Sequence, residues 1–310
     1  MYQPTDATAA PGAAPHPELG PDSLLWRWAG DTRIAFMAGT IGLLQTMHPA
    51  IGQALIDHSD FFDDPADRVF RSLPEILGTV YDAPDAPTGR SVRDAHRDIK
   101  GVHPSGESYH ALQPDTFWWA HATFQFMVEQ VIDRFDRHQL TNGERDRLYA
   151  EGVAWYRRYG VSERPVPPNR AAFQEVWDHY CAEVLQPNPA SDWLIATILA
   201  DRIPKVRIPL PNLPAWTMPV VNTRTTRKLL QPGVRITGFG GLPPIVRERF
   251  DIPWTRADQV ELRALETAIA RGWPLVPWHL RWQPRAKAGW RREGVGRRGS
   301  TSPLRRRSAA

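Results

Sequence analysis

The residues from Asp115 to Phe135 constrain this chain most. Read at 3.6 residues per turn, Phe117, His121, Phe124, Val128, Val131 and Phe135 fall in one narrow stripe, so the segment is a helix and the stripe its buried side. His121, the one polar member, is expected inside. A shorter pattern precedes it. If Ser91 to Lys100 is helical, Val92, His96 and Ile99 share a face, while Arg93, Asp94, Arg97 and Asp98 take the other sides. Four of the ten histidines lie between Ser91 and Gln125. The other two of these, His103 and His110, flank a polar turn at Pro104-Ser105-Gly106 and are expected to be exposed.

Helical signals recur along the chain. Asp31 is a good N-cap for TRIAFMAGTIGLLQTM, whose nearly continuous apolar content predicts a helix buried on several sides. His48-Pro49 closes it, and Asp64-Pro65 starts another helix, Ala66 to Tyr81. There Val69, Leu73, Ile76, Leu77 and Val80 make one face and Arg68, Arg71, Ser72, Glu75 and Thr79 the opposite one, with Pro74 expected to bend or loosen it. Thr141 to Glu144 has capping-box spacing, and Asn169 and Asn188-Pro189 mark further starts. Alternating strand patterns are almost absent. The expected fold is therefore all-α, a single multi-helix domain over residues 23–284. Residues 1–22, rich in Pro, Ala and Gly, are expected to be disordered.

Residues 285–310 hold nine Lys or Arg against one Glu while the whole chain is only +4, so the first 284 residues are net acidic. The basic end is read as a disordered, solubilising tail, and no nucleic-acid partner is expected. The longest nearly apolar run, Ile34 to Leu44, is far shorter than a membrane span, and no basic-then-apolar leader opens the chain. The expectation is a cytoplasmic protein, with peripheral membrane contact left open and no subunit number set. One cysteine, Cys181, excludes an intramolecular disulfide and Cys-based zinc or iron–sulfur sites within one chain. Its neighbours Val176, Trp177 and Val184 mark it as a packed core thiol.

P-loop, dinucleotide and nucleophile-elbow motifs are missing, and GFGG at Gly238 to Gly241 lacks the dinucleotide spacing. The Glu-x-x-His pairs of di-iron bundles are missing too. Imidazole remains. A histidine alone on an apolar helix face is able to serve as a haem axial ligand, because a flat apolar cofactor needs aromatic walls and one nitrogen donor. It is equally able to be a core residue bonded to a backbone carbonyl, and a histidine-held zinc or non-haem iron is a third, weaker alternative.

The series LLWRWAGDTR, LLQTMHP, DHSDFFDDPADR, RVFRSL, HRDIKG, SGESYHALQP and WWAHATF resembles, in order and spacing, the mpaB-type oxygenase / rubber oxygenase (latex-clearing protein) family. The likeness covers about residues 24–165 and continues more faintly to about 275. It implies an all-α fold enclosing a haem b pocket and an oxygenase that uses O2 and iron on a hydrophobic small molecule, often isoprenoid. The family's axial histidine matches His96 of HRDIKG. Its Arg-x-x-x-Thr motif corresponds to Arg68 and Ser72, turning that polar helix face towards the cofactor. His121 resembles a second recurrent histidine, which implies a supporting place near the pocket without iron ligation. Ser72 keeps the hydroxyl of the usual threonine. Arg71 stands where rubber oxygenases carry a lysine able to cap the iron, and a guanidinium is effectively never deprotonated, so a resting site open to water or O2 is implied. The rubber enzymes are exported, so polyisoprene is not the expected substrate.

The residues so assigned are Arg68 and Ser72 as catalytic, His96, Arg68, Arg71 and His121 as cofactor-binding, and His96 as the metal ligand. The competing expectation is a non-catalytic helical protein that carries haem, or one that works without a cofactor through its basic tail.

Overall fold

Caps and prolines cut this chain into helices. Thr141 accepts from the backbone N–H of Glu144, whose carboxylate reaches back to Thr141, and Thr255 with Asp258 repeats the arrangement. Asn169 accepts from the N–H of Ala172. The computed structural model describes residues 17–63, 65–199 and 224–295, and for residues 65–71 and 224–230 the backbone alone. Among them are fourteen α-helices: α1 Leu24–Trp28, α2 Ala38–Thr46, α3 Pro49–His58, α4 Pro65–Tyr81, α5 Thr88–Asp94, α6 Pro114–Phe135, α7 Asn142–Arg157, α8 Arg170–His179, α9 Pro189–Leu199, α10 Arg224–Gly240, α11 Pro244–Arg249, α12 Arg256–Gly272, α13 Trp278–Arg281 and α14 Pro284–Arg292. Two short strands, β1 Lys100–Val102 and β2 Ser108–His110, pair antiparallel with Lys100 opposite His110.

Helix α6 is the axis of the core. Phe117, His121, Val128, Val131 and Phe135 are buried as the stripe predicts, Phe124 is only half-buried, and Trp118, Trp119, Ala122 and Ile132 are buried as well. The helix is covered on more than one side because α2, α7, α12 and the 3₁₀ turn Thr32–Met37 all pack on it. Large aromatics fill the gaps: Trp26, Trp118, Trp119 and Trp155 are each almost fully buried. Helices α2 and α10 approach closely where neither has a side chain, since a Cβ on Gly39 would stand 3.1 Å from Cα of Gly238. The hydroxyl of Thr40 donates there to the carbonyls of Thr237 and Gly238.

Several expectations are corrected. Asp31 does cap, accepting from the N–H of Arg33 at 2.8 Å, but the residues after it form a 3₁₀ turn before α2 rather than one continuous helix. The helix expected over Ser91 to Lys100 stops at Asp94. The chain then turns through tighter bonds, His96 N–H to Arg93 and Ile99 N–H to His96, because Lys100 onward is drawn into pairing with residues 108–110. The fold is thus mostly helical with one small ribbon among the described residues.

The chain ends also differ from expectation. Within the N-terminal segment expected to be disordered, residues 17–22 form a turn with Leu19 buried; residues 1–16 lie outside the described residues. The basic tail expected to be disordered from residue 285 begins as α14, which packs on α4. Its physical cause is an apolar side made of Ala286, Gly289 and Trp290: Trp290 meets the Tyr81 ring edge-on at 6.3 Å, and a Cβ on Gly289 would lie 2.9 Å from the Tyr81 carbonyl. Arg285 bridges Glu75 and Asp82 beside it. Residues 296–310 lie outside the described residues.

Among the described residues no single helix is long and apolar enough to cross a membrane. One pair, Thr32–Thr46 with Pro49–His58, passes by length and composition but is bent by 97°.

Candidate functional site

His96 stands in the turn that follows α5, half-buried, with its ring edge-on to Phe117 at 5.9 Å. Its Nδ1 lies 2.7 Å from the carbonyl oxygen of Val92. A carbonyl only accepts, so Nδ1 carries a hydrogen, and in the neutral form of the ring the lone pair belongs to Nε2. The turn itself is braced from outside. Nε2 of His110 donates to the Arg97 carbonyl at 2.9 Å, Nε2 of His58 to the Lys100 carbonyl at 3.0 Å, and the Ala111 N–H to the Ile99 carbonyl at 2.9 Å. His110 and His103, expected to be exposed, are both half-buried. The ribbon folds them back, His110 against the turn and His103 onto the Ser105 hydroxyl.

His121 occupies a second layer. Its Nε2 donates to the Gly152 carbonyl at 3.0 Å, and its Nδ1 is buried without a hydrogen-bond partner. The rings of Trp155, Tyr156, Trp118 and Tyr159 enclose it at centroid distances of 4.8 to 5.7 Å. Burial pushes its pKa down to about 3 against the opposing carbonyl bond, so the ring is neutral. Helix α7 comes this close because Gly152 has no side chain: a Cβ there would lie 2.5 to 2.8 Å from the amide of Gln125. The two histidines are linked through aromatic contacts, His96 to Phe117, Phe117 to Tyr159 at 5.3 Å and Tyr159 to His121.

The polar face of α4 divides. Thr79 is buried, donating to the Ile76 carbonyl and accepting from the indole N–H of Trp155 at 2.5 Å. Glu75 is exposed and pairs with Arg285; Ser72 is exposed as well. Arg68 and Arg71 lie on the helical backbone of α4, and their side chains lie outside the described residues. Helices α4 and α5 form a hairpin pinched where a Cβ on Gly78 would be 2.8 Å from Thr88, so the Arg68–Ser72 turn and His96 stand on its two arms. Arg158 ties the base, its Nη1 donating to the carbonyls of Thr79, Val80 and Asp82.

Among the described residues no group of three or more His, Cys, Asp or Glu is arranged to hold a metal. Burial drives the Cys181 thiol up to about 12, which makes it inert. At His96, the bond from Nδ1 to the Val92 carbonyl and the edge-on Phe117 ring fit an imidazole turned to a flat apolar cofactor. Two cavities, of about 300 and 150 Å3, lie elsewhere and are not lined by His96, Ser72 or His121. Periodicity pointed to His96 and His121; it did not reveal His58 and His110, whose contacts span the chain and leave no local pattern.

These features define a mostly helical protein in which carbonyl oxygens fix the His96 and His121 rings against an aromatic wall. Residues 26–271 match the family described as ER-bound oxygenase mpaB/B'/Rubber oxygenase, catalytic domain, and the chain belongs to that family. Comparison with curated proteins and with solved structures found no match.

Proposed function

We propose that this chain is a haem-b-dependent oxygenase of a hydrophobic small molecule, with neutral His96 as the axial ligand through Nε2. The observation that carries the reading is the bond from Nδ1 of His96 to the Val92 carbonyl. Such a bond fixes the ring's orientation and makes the far nitrogen a better donor. Family membership supports an oxygenase, and the haem, the iron and the ligand are this proposal's own additions.

Bound haem would supply the iron chemistry that uses O2 to oxidise or cleave the substrate. The chain's residues do the rest. His58 and His110 hold the His96 turn from outside. Phe117 and Tyr159 stand as an apolar wall against water, and His121 supports that wall as a neutral ring. Arg68 and Ser72 would donate hydrogen bonds at the polar edge of the cofactor or at the oxidised group, the one charged and the other neutral. Arg71, always protonated, would assist binding through charge and would not compete for the metal.

The test is O2 uptake by the reduced, haem-loaded protein with a panel of lipophilic substrates, isoprenoids included. Uptake should depend on substrate, and Arg68→Ala should lower its rate per bound haem by about tenfold or more. Haem binding without uptake across the panel would favour a carrier or sensor.

A further inference from the structure

The second cavity, about 150 Å3, is bordered by Arg27, Trp28, Asp31, Arg33, Asp136 and Arg281. Its two carboxylates are already engaged. Asp31 accepts from the backbone N–H of Arg33 and from its guanidinium on both oxygens, and both residues are almost wholly buried. Asp136 pairs with Arg33 at 2.9 Å and accepts from the His138 N–H at 2.8 Å.

The donors are not matched. Arg27 is half-buried, and its guanidinium lies 4.8 Å over the Trp28 ring with no hydrogen bond or ion pair to another described side chain or carbonyl. Arg281 is half-buried and its Nε is enclosed without an acceptor. Trp28, 3% exposed, has an indole N–H that also finds none. Arg137 adds a further positive charge to the wall. Burial depresses the Arg27 guanidinium although Asp136 and Glu144 pull the other way, so these neighbours do not fully compensate it. Guanidinium groups stay charged, and water satisfies their N–H groups without balancing that charge.

We propose that this cavity is a binding site for a small free oxyanion of phosphate size, gripped by Arg27 and Arg281. The space has room for several waters, and so for such an anion. Planar guanidinium forks suit its oxygens. The site shares no residue with the His96 region and stands whether or not the chain binds haem.

The experiment uses the full chain in potassium phosphate and in potassium chloride at matched ionic strength. Phosphate should raise the thermal midpoint saturably where chloride does not, and the phosphorus resonance of inorganic phosphate should broaden in the protein's presence. Arg27→Gln and Arg281→Gln should each weaken the apparent affinity by about tenfold, while Arg97→Gln leaves it unchanged. Equal midpoints in the two salts with an unbroadened resonance would mean a cavity filled by water, and would overturn the proposal even if both variants failed to fold. So would variants that bind phosphate as the wild type does.

Discussion

The carbonyl oxygen of Val92 lies 2.7 Å from Nδ1 of His96, four residues on. That contact, made by the end of α5 with the turn beyond it, decides which ring nitrogen carries the hydrogen. It orients the His96 ring, which burial alone would not.

The turn owes its position to groups outside it. Replacing His110 by Ala removes the bond to the Arg97 carbonyl, and His58→Ala removes the one to Lys100. Each bond contributes about 0.5–1.5 kcal/mol, so ribbon amides, Ala111 among them, should exchange with solvent several-fold faster. Amides of α6 near Val128 should keep their protection. Unchanged exchange in the ribbon would show that the two rings do not brace it.

Two buried histidines set an acid limit on stability. Burial lowers His121 to about 3 and His48 to about 4, from a usual value of 6.5. The unfolded chain therefore takes up these protons first as pH falls. Stability is intact above about 6.5 and declines from there towards 4 and 3. Between pH 7 and pH 5 each group should cost about 2 kcal/mol. Urea unfolding at the two pH values measures it, and His48→Gln should remove its own share of the slope. A midpoint independent of pH over this range would contradict the burial of both rings.

Helix α14 is part of the folded body. Trp290 is 6% exposed against Tyr81, and Trp282 and Trp278 also meet its ring. Trp290→Ala should cost about 3–5 kcal/mol, and truncation after residue 283 at least as much. Thermal melting of the two variants is the check; wild-type midpoints would restore residue 284 as the boundary.

Local patterning made the helices legible. Capping at Thr141, Asn169 and Asp31 and the stripe on α6 are short-range signals, and each predicted feature is present. What failed was long-range. Lys100 reads as the end of a helix until His110 arrives to pair with it, and the charges of α14 hide an apolar side that matters only when Tyr81 faces it. The buried Arg33–Asp31 pair and its link to Asp136 were equally invisible, because Asp31 read fully as a cap. At the candidate site, His121 on the apolar face of α6 is legible, whereas the face expected for His96 belongs to a helix that ends at Asp94, before it. The His96 tautomer and its braces depended on carbonyls that no side-chain pattern encodes.

The central claim is an axial bond from His96, and the visible spectrum of protein produced with ample haem tests it most directly. The account predicts a Soret band that His96→Ala abolishes and that a conservative change at His121, such as His121→Gln, largely retains. A colourless, well-folded wild-type protein, or a band that survives His96→Ala undiminished, would contradict it.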